Sequence, residues 1–125
     1  MDVHGNKAQS RRKDLGEISN KFANYIYLTE DDPAFESIEA ICKEIGEHIT
    51  DTKKYEIETS RISAIEKAVS KIVSSKEKYI LLLLGKGHEN TQKEGASYVP
   101  YKSDSKVVKD LITKYEKEKV NKNNR

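Results

Sequence analysis

Apolar residues along the chain recur with two periods that take turns. Leu15, Ile18, Ser19 and Phe22 fall at three- and four-residue spacing, which predicts an amphipathic helix from Ser10 to Ala23 behind the basic approach Arg11-Arg12-Lys13. Tyr25-Ile26-Tyr27-Leu28-Thr29 then reads as a short strand, and Asp31-Asp32-Pro33-Ala34 as a turn, since the residue before proline is pushed out of the helical region. Helical spacing returns with Ile38, Ile41, Cys42, Ile45 and Ile49 on one face and Glu36, Glu39, Lys43, Glu44 and Glu47 on the other. Tyr55 to Thr59 alternates as a strand. Ser60 is placed to cap a helix whose inner face is Ile62, Ile65, Val69, Ile72 and Val73.

The run Tyr79-Ile80-Leu81-Leu82-Leu83-Leu84 is continuously apolar, the pattern of a central strand buried on both faces. It stops at Gly85-Lys86-Gly87-His88-Glu89. Tyr98-Val99-Pro100 suits a short edge strand, and Ser103 is placed to cap a last helix carrying Val107, Val108, Leu111, Ile112 and Tyr115. Residues 116–125 read as a solvated tail after a domain spanning 1–115. Strands alternating with helices predict an α/β domain: Rossmann-like, three-layered, with a mostly parallel sheet of about five or six strands and helices on both faces. In such sheets ligands meet the loops at the carboxyl ends of the strands, which directs attention to Glu30–Ala34 and Gly85–Glu89.

Composition narrows the field. The 125 residues fit one domain, and 23 Lys plus Arg against 21 Asp plus Glu leave a net charge of +2, too little for a nucleic-acid or anionic-membrane footprint. Tyr79–Leu84 is far shorter than the ~20 apolar residues that span a bilayer, and no signal peptide opens the chain, so a soluble, cytoplasmic protein is expected. Cys42, the single cysteine, excludes an internal disulfide and is expected to pack in a helix. His88 lies beside Glu89, but His4 and His48 belong to other segments, and a protein metal site is not expected.

Gly85-Lys86-Gly87-His88-Glu89, followed by Gln92, lacks the spacing and the Ser/Thr of a Walker loop. It resembles instead the Gly-Lys-Gly-His-Glu…Gln signature of the Mur ligase C-terminal domain. The likeness is to the UDP-N-acetylmuramyl-tripeptide synthetase (MurE-type) branch, whose Asp-Asn-Pro-Arg motif or a variant follows an earlier strand as Asp31-Asp32-Pro33-Ala34 does here. Arg61-Ile62-Ser63-Ala64-Ile65 is similar to that family's Asp-Arg…Ala-Ile helix start, with Ser60 for the aspartate, and Gly5–Gly16 to a degenerate Gly-Gly-x-Arg-Asp-like loop.

The resemblance implies a domain, excised from a three-domain ligase, that presents an amino acid to the activated carboxylate of UDP-N-acetylmuramoyl-L-alanyl-D-glutamate. ATP and magnesium would be held mainly by the missing central domain, the partners would be the N-terminal and central domains, and the piece alone would be inactive. Met1–Gly5 would be the end of a strand begun upstream. Carried over residue by residue, Asp31, Asp32, Pro33, Ala34, Gly85 and Glu89 fall on amino-acid contacts, and Lys7 near the loop arginine that meets nucleotide phosphate. No residue is assigned a catalytic role. Alanine at 34 removes the guanidinium fork that would grip a second carboxylate, while Asp31, Asp32 and Glu89 offer negative charge to an ammonium, which favours L-lysine. On the residues alone, Asp31 and Asp32 could be turn formers and Glu89 a solvated acid. The competing function is a free-standing binding or regulatory module that keeps the fold without ligase activity. A folylpolyglutamate-synthetase relative would not be expected to carry both motifs.

Overall fold

The computed structural model describes residues 3–30, 36–85, 91–94 and 97–123, with backbone alone for 3–9, 91–94, 97–99 and 121–123. Helix α1 (Val3–Phe22) leads to strand β1 (Ile26–Leu28), helix α2 (Ile38–Gly46), strand β2 (Tyr55–Ile57) and helix α3 (Arg61–Ser74). Strands β3 (Thr91–Glu94) and β4 (Ser97–Pro100) and helix α4 (Asp104–Asn123) complete the order.

β1 and β2 pair in parallel, Ile26 opposite Tyr55 and Leu28 opposite Ile57, with α2 as their connection. Ile26 and Leu28 turn one way, into a core with Cys42 and Ile49, against which Ile38, Ile45, Tyr55 and Ile57 pack. Helix α3 packs on β1, and its Lys67 reaches Glu56 of β2 at 3.3 Å. The second core joins Ile65 and Val69 of α3 to Val107 of α4, with Leu81 and Leu83 against it. The parallel pair therefore carries helices on both sides, as an α/β layer structure requires. Ser60 and Ser103 cap α3 and α4 as predicted, each accepting from the amide three residues on, at 3.3 and 3.2 Å.

Three expectations are corrected. Residues from Val3 onward are helical, so among the described residues the expected strand end gives way to helix over 3–5 and no loop surrounds Lys7, which lies within α1. The stripe Leu15, Ile18 and Phe22 is exposed, and α1 meets α2 through other positions. A Cβ at Gly16 would stand 2.5 Å from the Ile45 carbonyl oxygen, and Arg12 forks to Glu36 and Glu44 at 2.7 Å each. That guanidinium holds the Glu36 carboxyl below its ordinary range. Tyr79–Leu84 is covered on one face only: Leu81 and Leu83 pack inward while Ile80 (88% exposed) and Leu82 (72%) face out. Among the described residues no strand pairs with this segment, and the strands form a parallel pair and a separate antiparallel hairpin, β3·β4. Helix α4 runs on past 116 and is exposed from there through residue 120. No helix among the described residues is long and apolar enough to cross a membrane.

Candidate functional site

Three elements end or begin at one place. β1 exits through Thr29 to Glu30, Tyr79–Leu84 exits to Gly85, and α3 starts at Arg61. Gly85 has φ 91°, a left-handed conformation that side-chain-bearing residues rarely adopt, so the expected sharp turn after the apolar run is realised there.

Arg61 organises this end. Its side chain is buried, yet it donates to the Glu30 carbonyl through Nη1 at 3.1 Å and to the Leu84 carbonyl through Nη2 at 2.9 Å. Nε and Nη2 also grip the Asp104 carboxylate, at 3.0 Å to Oδ1 and 2.7 Å to Oδ2. Asp104 opens α4 and is 1% exposed; the Tyr101 hydroxyl donates to its Oδ1 at 2.9 Å. Burial, then the bond to Asp104, push the Tyr101 phenol well above its ordinary value, so it stays a donor. Removing one partner of such a buried pair costs about 3–5 kcal/mol, because the other charge is stranded. Beside this cluster the buried Thr29 hydroxyl has no hydrogen-bond partner among the described residues.

Of the residues singled out from sequence, Gly85 stands at this end of the molecule. Asp31, Asp32, Pro33 and Ala34 follow directly on Glu30, and Glu89 follows Gly85 by four positions; all five lie outside the described residues. Lys7 is on α1, and its side chain too lies outside the description. Arg61 was legible only as a helix start, and Asp104 not at all. The signal was nevertheless in the spacing. Arg61 shares a face with Ile65 and Val69, and Asp104 with Val107 and Leu111, so two opposite charges sit on the apolar stripes of two helices.

An open hollow elsewhere, between α3 and α4 and bordered by Tyr27 and Glu56, is a poor site for an anion because three of its four lysines are engaged. Lys67 bridges Glu56 and Glu58, Lys102 pairs with Asp110 at 2.6 Å, and Lys71 lies 3.5 Å over the Tyr25 ring. The described residues do not fit a magnesium site either. No three His, Cys, Asp or Glu converge among them, and the Asp104 carboxylate is committed to Arg61 and Tyr101.

Comparison with known proteins agrees with the motifs. The profile of the family described as Mur ligase, glutamate ligase domain, matches residues 3–87. The chain is 36% identical over 108 residues to the UDP-N-acetylmuramoyl-L-alanyl-D-glutamate--2,6-diaminopimelate ligase of Blochmanniella floridana, covering 86% of the chain and 21% of that protein. It is 38% identical over 109 residues to the UDP-N-acetylmuramyl-tripeptide synthetase of Ligilactobacillus salivarius, covering 86% and 21%. To the UDP-N-acetylmuramoyl-L-alanyl-D-glutamate--L-lysine ligase of Streptococcus pyogenes serotype M3 it is 39% identical over 113 residues, covering 90% and 23%. The chain thus spans between a fifth and a quarter of the length of these relatives.

Proposed function

Because the chain belongs to the Mur ligase family, in its glutamate ligase domain, we propose that it is the C-terminal substrate-binding domain of a MurE-type ligase. The ligase would join an amino acid to UDP-N-acetylmuramoyl-L-alanyl-D-glutamate in cell-wall peptidoglycan synthesis, in the cytoplasm. The family match over residues 3–87 carries this reading. The domain would occupy residues 1–115, with the end of α4 as a solvated extension, and the five- or six-stranded sheet would be completed by segments beyond the strands described. ATP and magnesium would be held mainly by the ligase's central domain, and this piece alone would neither turn over ATP nor ligate.

In this reading the amino acid sits between the two strand-end loops, with Asp31, Asp32, Pro33 and Ala34 on one side and Gly85 and Glu89 on the other. Relatives named for lysine and for diaminopimelate are about equally similar, so the choice rests on residue 34. Alanine offers no fork for a second carboxylate, and the acids suit an ammonium, so the amino acid is L-lysine. Lys7 would lie toward the nucleotide phosphate as a point charge rather than a planar fork.

Ligation assays on the polypeptide that carries this chain, given UDP-muramyl-dipeptide and ATP, are expected to favour L-lysine over meso-diaminopimelate. Asp31→Asn and Glu89→Gln should raise KM for lysine by about tenfold or more and leave KM for ATP within about twofold. Preference for diaminopimelate would overturn the role given to Ala34, and equal effects on both KM values would reduce the acids to loop formers. A second reading, a free-standing Mur-fold module without ligase activity, is favoured by α1 running through the stretch that resembles the family's glycine-rich loop. A reading frame continuing upstream into a phosphate-binding ATPase domain would rule it out.

A further inference from the structure

We propose that Arg61 is the positioning residue of the amino-acid site, fixing the two strand ends relative to each other by holding the Glu30 and Leu84 carbonyls on one guanidinium. The inference rests on the site reading above and adds to it a residue that touches no substrate.

β1 and Tyr79–Leu84 belong to different apolar cores, the first with α2 and the second with α3 and α4. Among the described residues no ladder joins them. Ordinary sheet pairing therefore does not set their separation at this end. Arg61 bonds to the carbonyl of the first residue of one candidate loop, Glu30, and to that of Leu84, which directly precedes the other.

The guanidinium is itself aimed. Asp104 takes Nε and one hydrogen of Nη2, and Tyr101 steadies Asp104, which leaves the outer donors pointing at the two carbonyls. A planar fork transmits direction as well as charge, whereas an ammonium on a flexible stem supplies a point charge. Once Asp104 has taken its share, the remaining N–H donors of a buried guanidinium need acceptors. Those acceptors are the two carbonyls where the candidate loops begin, so satisfying Arg61 ties both strand ends to one group.

The test compares Arg61→Lys with Val69→Ala in the ligase polypeptide. Val69 lies on the same helix and in the same core but has no bond to either strand end. Arg61→Lys is expected to raise KM for lysine about tenfold while KM for ATP stays within about twofold, and Val69→Ala to lower Tm without moving either KM. A lower Tm with unchanged lysine KM in Arg61→Lys, or parallel rises in both KM values, would overturn the proposal. Should Arg61→Lys fail to fold, Asp104→Asn keeps the shape while weakening the aim, and must shift KM for lysine alone in the same direction.

A ligand-free readout separates this inference from the site reading. In the 125-residue chain the backbone carbonyl 13C resonances of Glu30 and Leu84 should both move in Arg61→Lys and stay in place in Val69→Ala. Movement of only one, or of neither, overturns the coupling. If both move but the wild-type ligase joins neither lysine nor diaminopimelate, the substrate reading fails and the coupling stands.

Discussion

Cys42 illustrates how far one residue's environment sets its chemistry. It is 1% exposed beneath β1, and burial, then the nearby charges of Glu30 and Glu39, raise its thiol from 9.0 to about 11. The neutral form is favoured in the folded chain. The stability it contributes is therefore complete below the unfolded value of 9.0 and is lost as pH rises through about 11. At pH 8 the folded chain should resist iodoacetamide, and alkylation should follow unfolding by denaturant; fast reaction of the native chain would contradict this burial. The apolar neighbours at helical spacing made this placement readable in advance. Arg61 and Asp104 were not readable in the same way, because a charge on an apolar stripe has no visible partner until two helices 43 positions apart are brought together.

At the scale of elements, α1 makes a close approach to the end of α2 at Gly16. An added methyl group would meet the Ile45 carbonyl oxygen at 2.5 Å and the His48 Cβ at 2.7 Å, backbone and stem atoms that cannot swing aside. Gly16→Ala should cost about 1–3 kcal/mol despite the better helix propensity of alanine, as measured by urea unfolding; a gain in stability would show that the helices separate freely. The same contact explains why the predicted inner face of α1 was wrong. Leu15, Ile18 and Phe22 form a good stripe, but a glycine and the fork of Arg12 determine which side approaches α2. Helices α2, α3 and α4 were legible because most of each stripe coincides with real neighbours; Val73 of α3 and Ile112 of α4, expected on the inner faces, are exposed. β3 was not: Thr91-Gln92-Lys93-Glu94 has no apolar alternation, and it is recognised only by its antiparallel pairing with Ser97–Pro100.

Across the whole molecule, the largest departure from the expected layering is the outer row Ile80, Leu82 and Leu84. A continuously apolar run has the capacity to be buried on both faces, but covering it requires elements whose positions a local pattern does not specify. The row lies on an extended segment with no charge, proline or glycine, the composition of a strand that recruits other strands. The 125-residue chain is expected to self-associate with rising concentration, and Leu82→Lys, at a position 72% exposed, to suppress this without loss of Tm. Analytical ultracentrifugation decides it: equal association of the variant would locate the contact elsewhere. The family was legible from the order and spacing of the two motifs, while the guanidinium that holds the Glu30 and Leu84 carbonyls was not.

The distance along the chain between Arg61 and its carboxylate also has a consequence in time. Synthesis adds about 5–20 residues per second, and Asp104 follows Arg61 by 43 positions, so on the ribosome the guanidinium waits roughly 2–9 s for its counter-charge. During that interval β1, α2 and β2 can already assemble around Cys42, since every residue of that core precedes Arg61. The strand ends come under common control only when the first turn of α4 emerges, which makes the start of the last helix the moment at which the nascent chain commits to its final form.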